Sequence, residues 1–266
     1  MKKLLVLSLV AAMVVTVMTG CGSASDQNTS AETEAVAEES AATGEEAASA
    51  GEESTDNTEN AADGKTFKIG VIQLVEHAAL DASNEGFVAA LNDAGISYEI
   101  DQQNAQNDQS TCQTIAEKLV NDGNDLILAI ATPAAQAVAG ATSDIPILVT
   151  AVTDPADAGL VEDNSAPGCN VSGTSDLTPV KEQIELLTKL LPEAKTVGIL
   201  YSSAESNSVL QAEMAKEACA DAGLASEVFT VSSSNEIQQV VESMVGKVDV
   251  IYTPTDNTIA AGMATV

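Results

Sequence analysis

The chain contains no arginine and no tryptophan, and its 266 residues include one histidine, three tyrosines and three phenylalanines. Without arginine it lacks the planar fork that grips phosphate or carboxylate in bidentate fashion. With 40 acids against ten lysines and a formal net charge of −30, nucleic acid is excluded as a natural partner. Scarce aromatics argue against stacking platforms for sugar rings or bases. A lone His77 and four scattered cysteines leave no zinc pattern, and no cofactor-binding motif is present.

What is present begins with Lys2, Lys3 and an almost unbroken apolar stretch over residues 4–18, closed by Thr19-Gly20-Cys21. The stretch is shorter than the ~20 residues of a permanent membrane span and reads as a secretory signal over residues 1–21. Small residues ahead of Cys21 have the form of a lipobox, so the expectation is a diacylated Cys21 anchoring the mature chain outside the cytoplasm. Residues 22–65 carry 12 acids, one lysine and no aromatic residue. Such a segment cannot bury enough apolar area to offset its ordering entropy, and it is expected to be a disordered acidic tether.

From residue 66 onward short apolar runs alternate with amphipathic segments. Strands are expected at 67–74, 97–102, 125–131, 145–152, 196–201, 227–231 and 248–253, with helices at 79–94, 110–121, 134–141, 180–191, 206–222 and 235–245. Several strand candidates are nearly continuous Val, Ile, Leu and Ala, as strands buried on both faces should be. Alternation of strand and helix implies an α/β fold with parallel sheets covered on both sides.

An internal echo divides this region. Ile69-Gly70-Val71-Ile72 leads to Asp93-Ala94-Gly95, and Val197-Gly198-Ile199-Leu200 leads to Asp221-Ala222-Gly223, at a constant offset of 128. Asp125-Leu126-Ile127 with Thr132-Pro133 is matched by Asp249-Val250-Ile251 with Thr253-Pro254. The reading is two Rossmann-like lobes, 66–174 and 175–266, crossing near residues 170–176 and enclosing a cleft at the carboxyl ends of their strands. Lobe 2 is expected to be partial, because the chain stops at Val266 in the helix after its third strand.

Cleft residues are sought where strands end. The first strand ends at Gln73, Glu76 and His77; the third is followed by Thr132, expected to cap a helix that Pro133 begins. Thr150 and Asp154 follow the fourth strand, Asp154 equally able to start a turn, and Asp176 lies in the crossing. In lobe 2 the candidates are Tyr201, Ser202, Ser203 and Asn207, then Thr255, Asp256 and Asn257. The helix caps at Thr132 and at residues 202–208 would direct amide hydrogens towards an anion. Asp256 reads both as an ammonium partner and as a plain helix cap, and Glu76 as a second ammonium candidate or a first-turn acid. Cys112, Cys169 and Cys219 form no even framework and read as packing residues.

Val75-Glu76-His77 with Ala79-Leu80-Asp81, the run Thr150-Ala151-Val152-Thr153-Asp154-Pro155, the run Asn170-Val171-Ser172-Gly173-Thr174-Ser175-Asp176, and residues 252–258 carry a resemblance. Together they resemble the ABC-transporter substrate-binding lipoproteins of the tryptophan and tyrosine type. Ala78 stands where that family has proline, and Cys169 where it has glycine. The resemblance implies a type I periplasmic-binding-protein fold and a non-catalytic, lipid-anchored receptor. Such a receptor closes on a small zwitterion, most simply an aromatic amino acid, and passes it to ABC permease subunits. A receptor for a sugar, nucleoside or signalling molecule is the alternative on the same fold. An extracellular enzyme using Glu76 and His77 as acid and base is the alternative from another class.

Overall fold

The computed structural model describes residues 64–266. The signal and most of the tether lie outside these residues. In lobe 1 the order is β1 (Phe67–Gln73), α1 (Ala78–Asp93), β2 (Tyr98–Asn104), α2 (Gln109–Asn121), β3 (Leu126–Ile130), α3 (Thr132–Ala141), β4 (Ile147–Val152) and β5 (Val171–Ser175). Lobe 2 comprises α4 (Val180–Leu190), β6 (Thr196–Ser202), α5 (Ser206–Asp221), β7 (Ala225–Val231), α6 (Ile237–Met244), β8 (Val250–Tyr252) and α7 (Asn257–Ala261).

Two parallel sheets result, β2-β1-β3-β4-β5 and β7-β6-β8. The second order repeats the first three strands of the first, β2-β1-β3, as the 128-residue echo requires. β1 and β6 are the central strands of the repeat, and Val71, Ile72, Ile199 and Leu200 in them are fully buried. Burial of each such side chain stabilises the fold by about 1.5–3 kcal/mol. The echoed glycines sit where a helix crosses the sheet closely. A Cβ on Gly70 would lie 3.0 Å from Leu119 Cδ2, and one on Gly198 would meet Met244 and Val248. The echoed aspartates start the central strands: Asp125 Oδ2 accepts from Lys68 N at 2.9 Å, and Asp249 Oδ2 accepts from Lys195 N at 2.8 Å and Thr196 N at 2.9 Å.

β5 departs from the sequence reading, which takes 170–176 as a plain crossing. It pairs with β4 as a parallel edge strand, and only Val171 of its five residues is buried. A polar Ser-Gly-Thr-Ser edge carries no hydrophobic period to reveal it. Cys112 and Cys219 are buried free thiols as expected, whereas Cys169 is free and exposed, so it is not a packing residue. Burial pushes the Cys112 thiol up to about 11.

The lobes meet through neutral polar side chains. Asn107 Nδ2 donates to Thr258 Oγ1 at 2.9 Å, Gln109 Nε2 to the Ala204 carbonyl at 2.8 Å, and Gln136 Nε2 to Ser206 Oγ at 3.4 Å. Thr153 Oγ1 lies 3.4 Å from Thr255 Oγ1 and accepts from Gln211 Nε2 at 3.3 Å.

Candidate functional site

Between the lobes, at the carboxyl ends of β1, β4 and β8, lies a cavity of about 310 Å³. Lobe 1 lines it with His77, Ala79, Leu80, Ser83, Thr150, Ala151, Thr153 and, from β5, Thr174; lobe 2 with Asn207, Thr255, Asp256, Asn257 and Ala260; Asp176 lies just after β5. A larger groove of about 540 Å³ runs between α2 and α3 on the outside of lobe 1. It touches no strand end, so the interlobe cavity is the candidate site.

The floor begins at α1. His77 occupies its N-cap position in extended backbone and supplies no side-chain cap, so the first amide hydrogens of a sixteen-residue helix face the cavity beside Ala79 and Leu80. On the far side of β3, the β4–β5 register shifts between Val149 and Val152, and Ala151 adopts φ +53°. That kink turns Thr150 and Ala151 into the cleft, where Thr174 Oγ1 donates to Thr150 Oγ1 at 3.1 Å.

Two carboxylates reach the cavity in different states. Asp256 caps α7: its oxygens accept from Ile259 N at 2.7 Å and from Ser202 N at 2.6 Å, and it is buried. Burial, reinforced by the neighbouring Glu205 charge, pushes Asp256 up to about 6. Asp176 is exposed and forms no ion pair among the described residues. Desolvation raises it, partly opposed by the Thr153 hydroxyl and by its own backbone amide. Asp176 is therefore the carboxylate with capacity to spare. In the lining of the same cavity Asn207 is 5% exposed; its Nδ2 donates to the Thr255 carbonyl at 3.0 Å, while Oδ1 has no partner among the described residues. A buried acceptor left unmet costs about 1–3 kcal/mol.

Seven of the expected residues thus gather: His77, Thr150, Asp176, Asn207, Thr255, Asp256 and Asn257. The others do not reach this cavity. Gln73 and Glu76 line a separate depression with Asp81, Asn84 and Glu85, Gln73 being turned away to donate to Asp81 at 2.7 Å. Glu76 and His77 therefore share no cavity, and the acid and base pair is not assembled. Asp154 closes a turn, accepting from Ala156 N, Asp157 N and Asn164 Nδ2. Tyr201 belongs to the lobe 2 core, Ser202 is fully buried, and Ser203 Oγ donates to the Val231 carbonyl. Thr132 is not a cap: Ala131 precedes α3 at φ +83°, and Thr132 Oγ1 is buried without a partner among the described residues. The α7 amide hydrogens are taken by Asp256 and Glu205, so they are not open to an anion.

Sequence reasoning missed Glu205, Gln211, Thr153 and Thr174. Glu205 sits at the N-cap position of α5, within a serine-rich run that drew attention to its hydroxyls. Gln211 lies mid-helix and carries no pattern at all.

A search of protein families matches residues 68–266 to the model described as ABC transporter substrate binding protein. The chain belongs to the ABC transporter substrate-binding protein family. It is thus a solute-binding component of an ABC importer, extracytoplasmic in type and non-catalytic. It is 40% identical to a tyrosine-binding protein of Clostridioides difficile, over 98% of this chain and 70% of that one. Among solved structures, the ABC domain of a Streptococcus pneumonia protein in complex with L-Trp is 46% identical, with a TM-score of 0.73, covering 76% of this chain and 69% of that one. The ligand-free, open structure of a Clostridium difficile substrate-binding protein with adhesive properties is 50% identical, covers 76% and 70%, and has a TM-score of 0.54.

Proposed function

We propose that this binding protein receives an aromatic L-amino acid between its lobes and, tethered through a lipidated Cys21, presents it to membrane permease subunits. The observation that carries the solute class is the pairing of Asp176, the cleft carboxylate with free oxygens, with the orphaned Asn207 oxygen in the same cavity. An ammonium group satisfies both, since it offers three donors and a positive charge. The uncapped start of α1, in the lining of the same cavity, receives the carboxylate, a contact worth about 0.3–2 kcal/mol.

The remaining lining is apolar at Ala79, Leu80, Ala151 and Ala260. Fully burying an aromatic side chain of roughly 150–250 Å² there contributes ~4–6 kcal/mol, the largest single favourable contribution. The small size of the alanines leaves room for a ring. The relatives described as binding tyrosine and containing L-Trp support the same solute class. The Lys2-Lys3, apolar and Thr-Gly-Cys order of the leader supports the lipid anchor.

Isothermal titration of the full chain against the protein amino acids tests the solute. L-Trp or L-Tyr is expected to bind most tightly, with deamino analogues at least tenfold weaker. A flat thermogram for both overturns the assignment. Mass spectrometry of membrane fractions, reading the acyl mass on Cys21, tests the anchor.

A further inference from the structure

Glu205 does not line the cavity, yet it governs two of the contacts that close it. It is 2% exposed, and none of the ion pairs among the described residues includes it. Its charge is met instead by four donors. Oε2 accepts from Asn257 Nδ2 at 2.6 Å and Asn257 N at 3.1 Å; Oε1 accepts from Thr258 N and Thr258 Oγ1, both at 2.9 Å.

An ionised carboxylate only accepts, so these bonds fix the polarity of the groups beyond them. The Asn257 amide must turn its NH₂ towards Glu205, which leaves Oδ1 facing lobe 1. There it lies 3.2 Å from His77 Nε2, and that nitrogen must carry a hydrogen. Likewise the Thr258 hydroxyl spends its proton on Glu205, so its lone pairs are left for Asn107 Nδ2 of lobe 1, at 2.9 Å. Two arms, Glu205–Asn257–His77 and Glu205–Thr258–Asn107, therefore run from one buried carboxylate to two elements of the opposite lobe.

We propose that Glu205 is the positioning residue of an interlobe latch, setting the donor and acceptor sense of Asn257 and Thr258 so that both can bond lobe 1 only when the cleft is shut. It acts on solute retention without touching the solute. Glu205→Gln keeps the shape but replaces one acceptor oxygen with a donor, so at most one arm can retain its sense.

In the full chain, with L-Trp and L-Tyr as probes, E205Q is expected to raise the dissociation rate about tenfold and leave the association rate unchanged. Because His77 is the sole histidine, its ¹⁵N imidazole spectrum is unambiguous. The wild type should show a slowly exchanging Nε2 proton in the closed state, and E205Q should lose it. A merely structural role would lower the unfolding temperature without moving that signal. Asn107→Ala, which cuts the second arm from lobe 1, should raise the dissociation rate several-fold, keep the His77 signal, and add less in the E205Q background than alone. An unchanged dissociation rate in N107A, or an unchanged rate and His77 proton in E205Q, overturns the latch. Should E205Q fail to fold, N107A and the wild-type His77 spectrum decide it. Should the wild type bind neither probe, the solute assignment fails and the latch is read from small-angle scattering of the free proteins. E205Q and N107A must then be more open than wild type, and equal compactness overturns the proposal.

Discussion

At the scale of single residues, the cleft shows two aspartates whose sequence contexts look alike and whose surroundings make them different. Asp256 follows a strand and precedes a helix, and the structure gives both its oxygens to backbone amides. Asp176 follows β5, is exposed, and is reached only by the Thr153 hydroxyl and its own amide. Asp176→Asn should therefore weaken L-Trp binding by roughly 10–100-fold, the worth of a hydrogen bond to a charged group, and titration calorimetry reads it directly. The sequence leaves Asp256 open between ammonium partner and helix cap, because no residue spacing tells whether an acid at a helix start is already a cap. Tyr201 and Ser202 fail for a related reason. They end an apolar run, and β6, covered on both faces, runs on through Ser202 and buries the two on opposite sides of the sheet.

Asp256 also has a consequence for stability. Its folded pKa is raised to about 6 from an ordinary carboxylate value, so the native state holds the proton more tightly than the unfolded chain. Stability from this group is present below about pH 4 and lost as pH rises through about 6. Asp256→Asn keeps a capping side chain and removes the titration. The difference in unfolding temperature between wild type and D256N should change between pH 4 and 7 in favour of D256N at the upper end, and thermal scans across that range check it. The separate acids held low by donors, such as Asp101 beside Lys118, act in the opposite sense and cancel in that comparison.

At the scale of elements, the repeat was the most legible feature. Every strand found by its apolar run exists, and the echoed glycines and aspartates do equivalent work in both lobes. Gly198→Ala should destabilise the protein by about 1–3 kcal/mol, because the added methyl meets Met244 and Val248 in a packed layer; denaturant unfolding measures it. What stayed hidden was polar. β5 has one buried side chain, and Gln211 joins Thr153, Thr178 and Thr255 from the middle of a helix with no local signature. Buried hydroxyl and amide networks leave no period in the sequence, since their partners lie far apart along it.

At the scale of the molecule, the surface is strongly acidic while the hydrogen bonds that join the lobes are made by neutral groups. The contacts that join lobe 1 to lobe 2 come from Asn, Gln, Thr, Ser and His, and no ion pair among the described residues crosses the cleft. Dissolved ions screen charges over about 8–10 Å at ordinary concentrations and leave neutral hydrogen bonds alone. The guest, as a zwitterion, has no net charge for the acidic exterior to repel. The seam between the lobes of a receptor built this way should therefore hold equally well in dilute and in briny surroundings, an advantage for a protein displayed outside a cell whose environment it does not control.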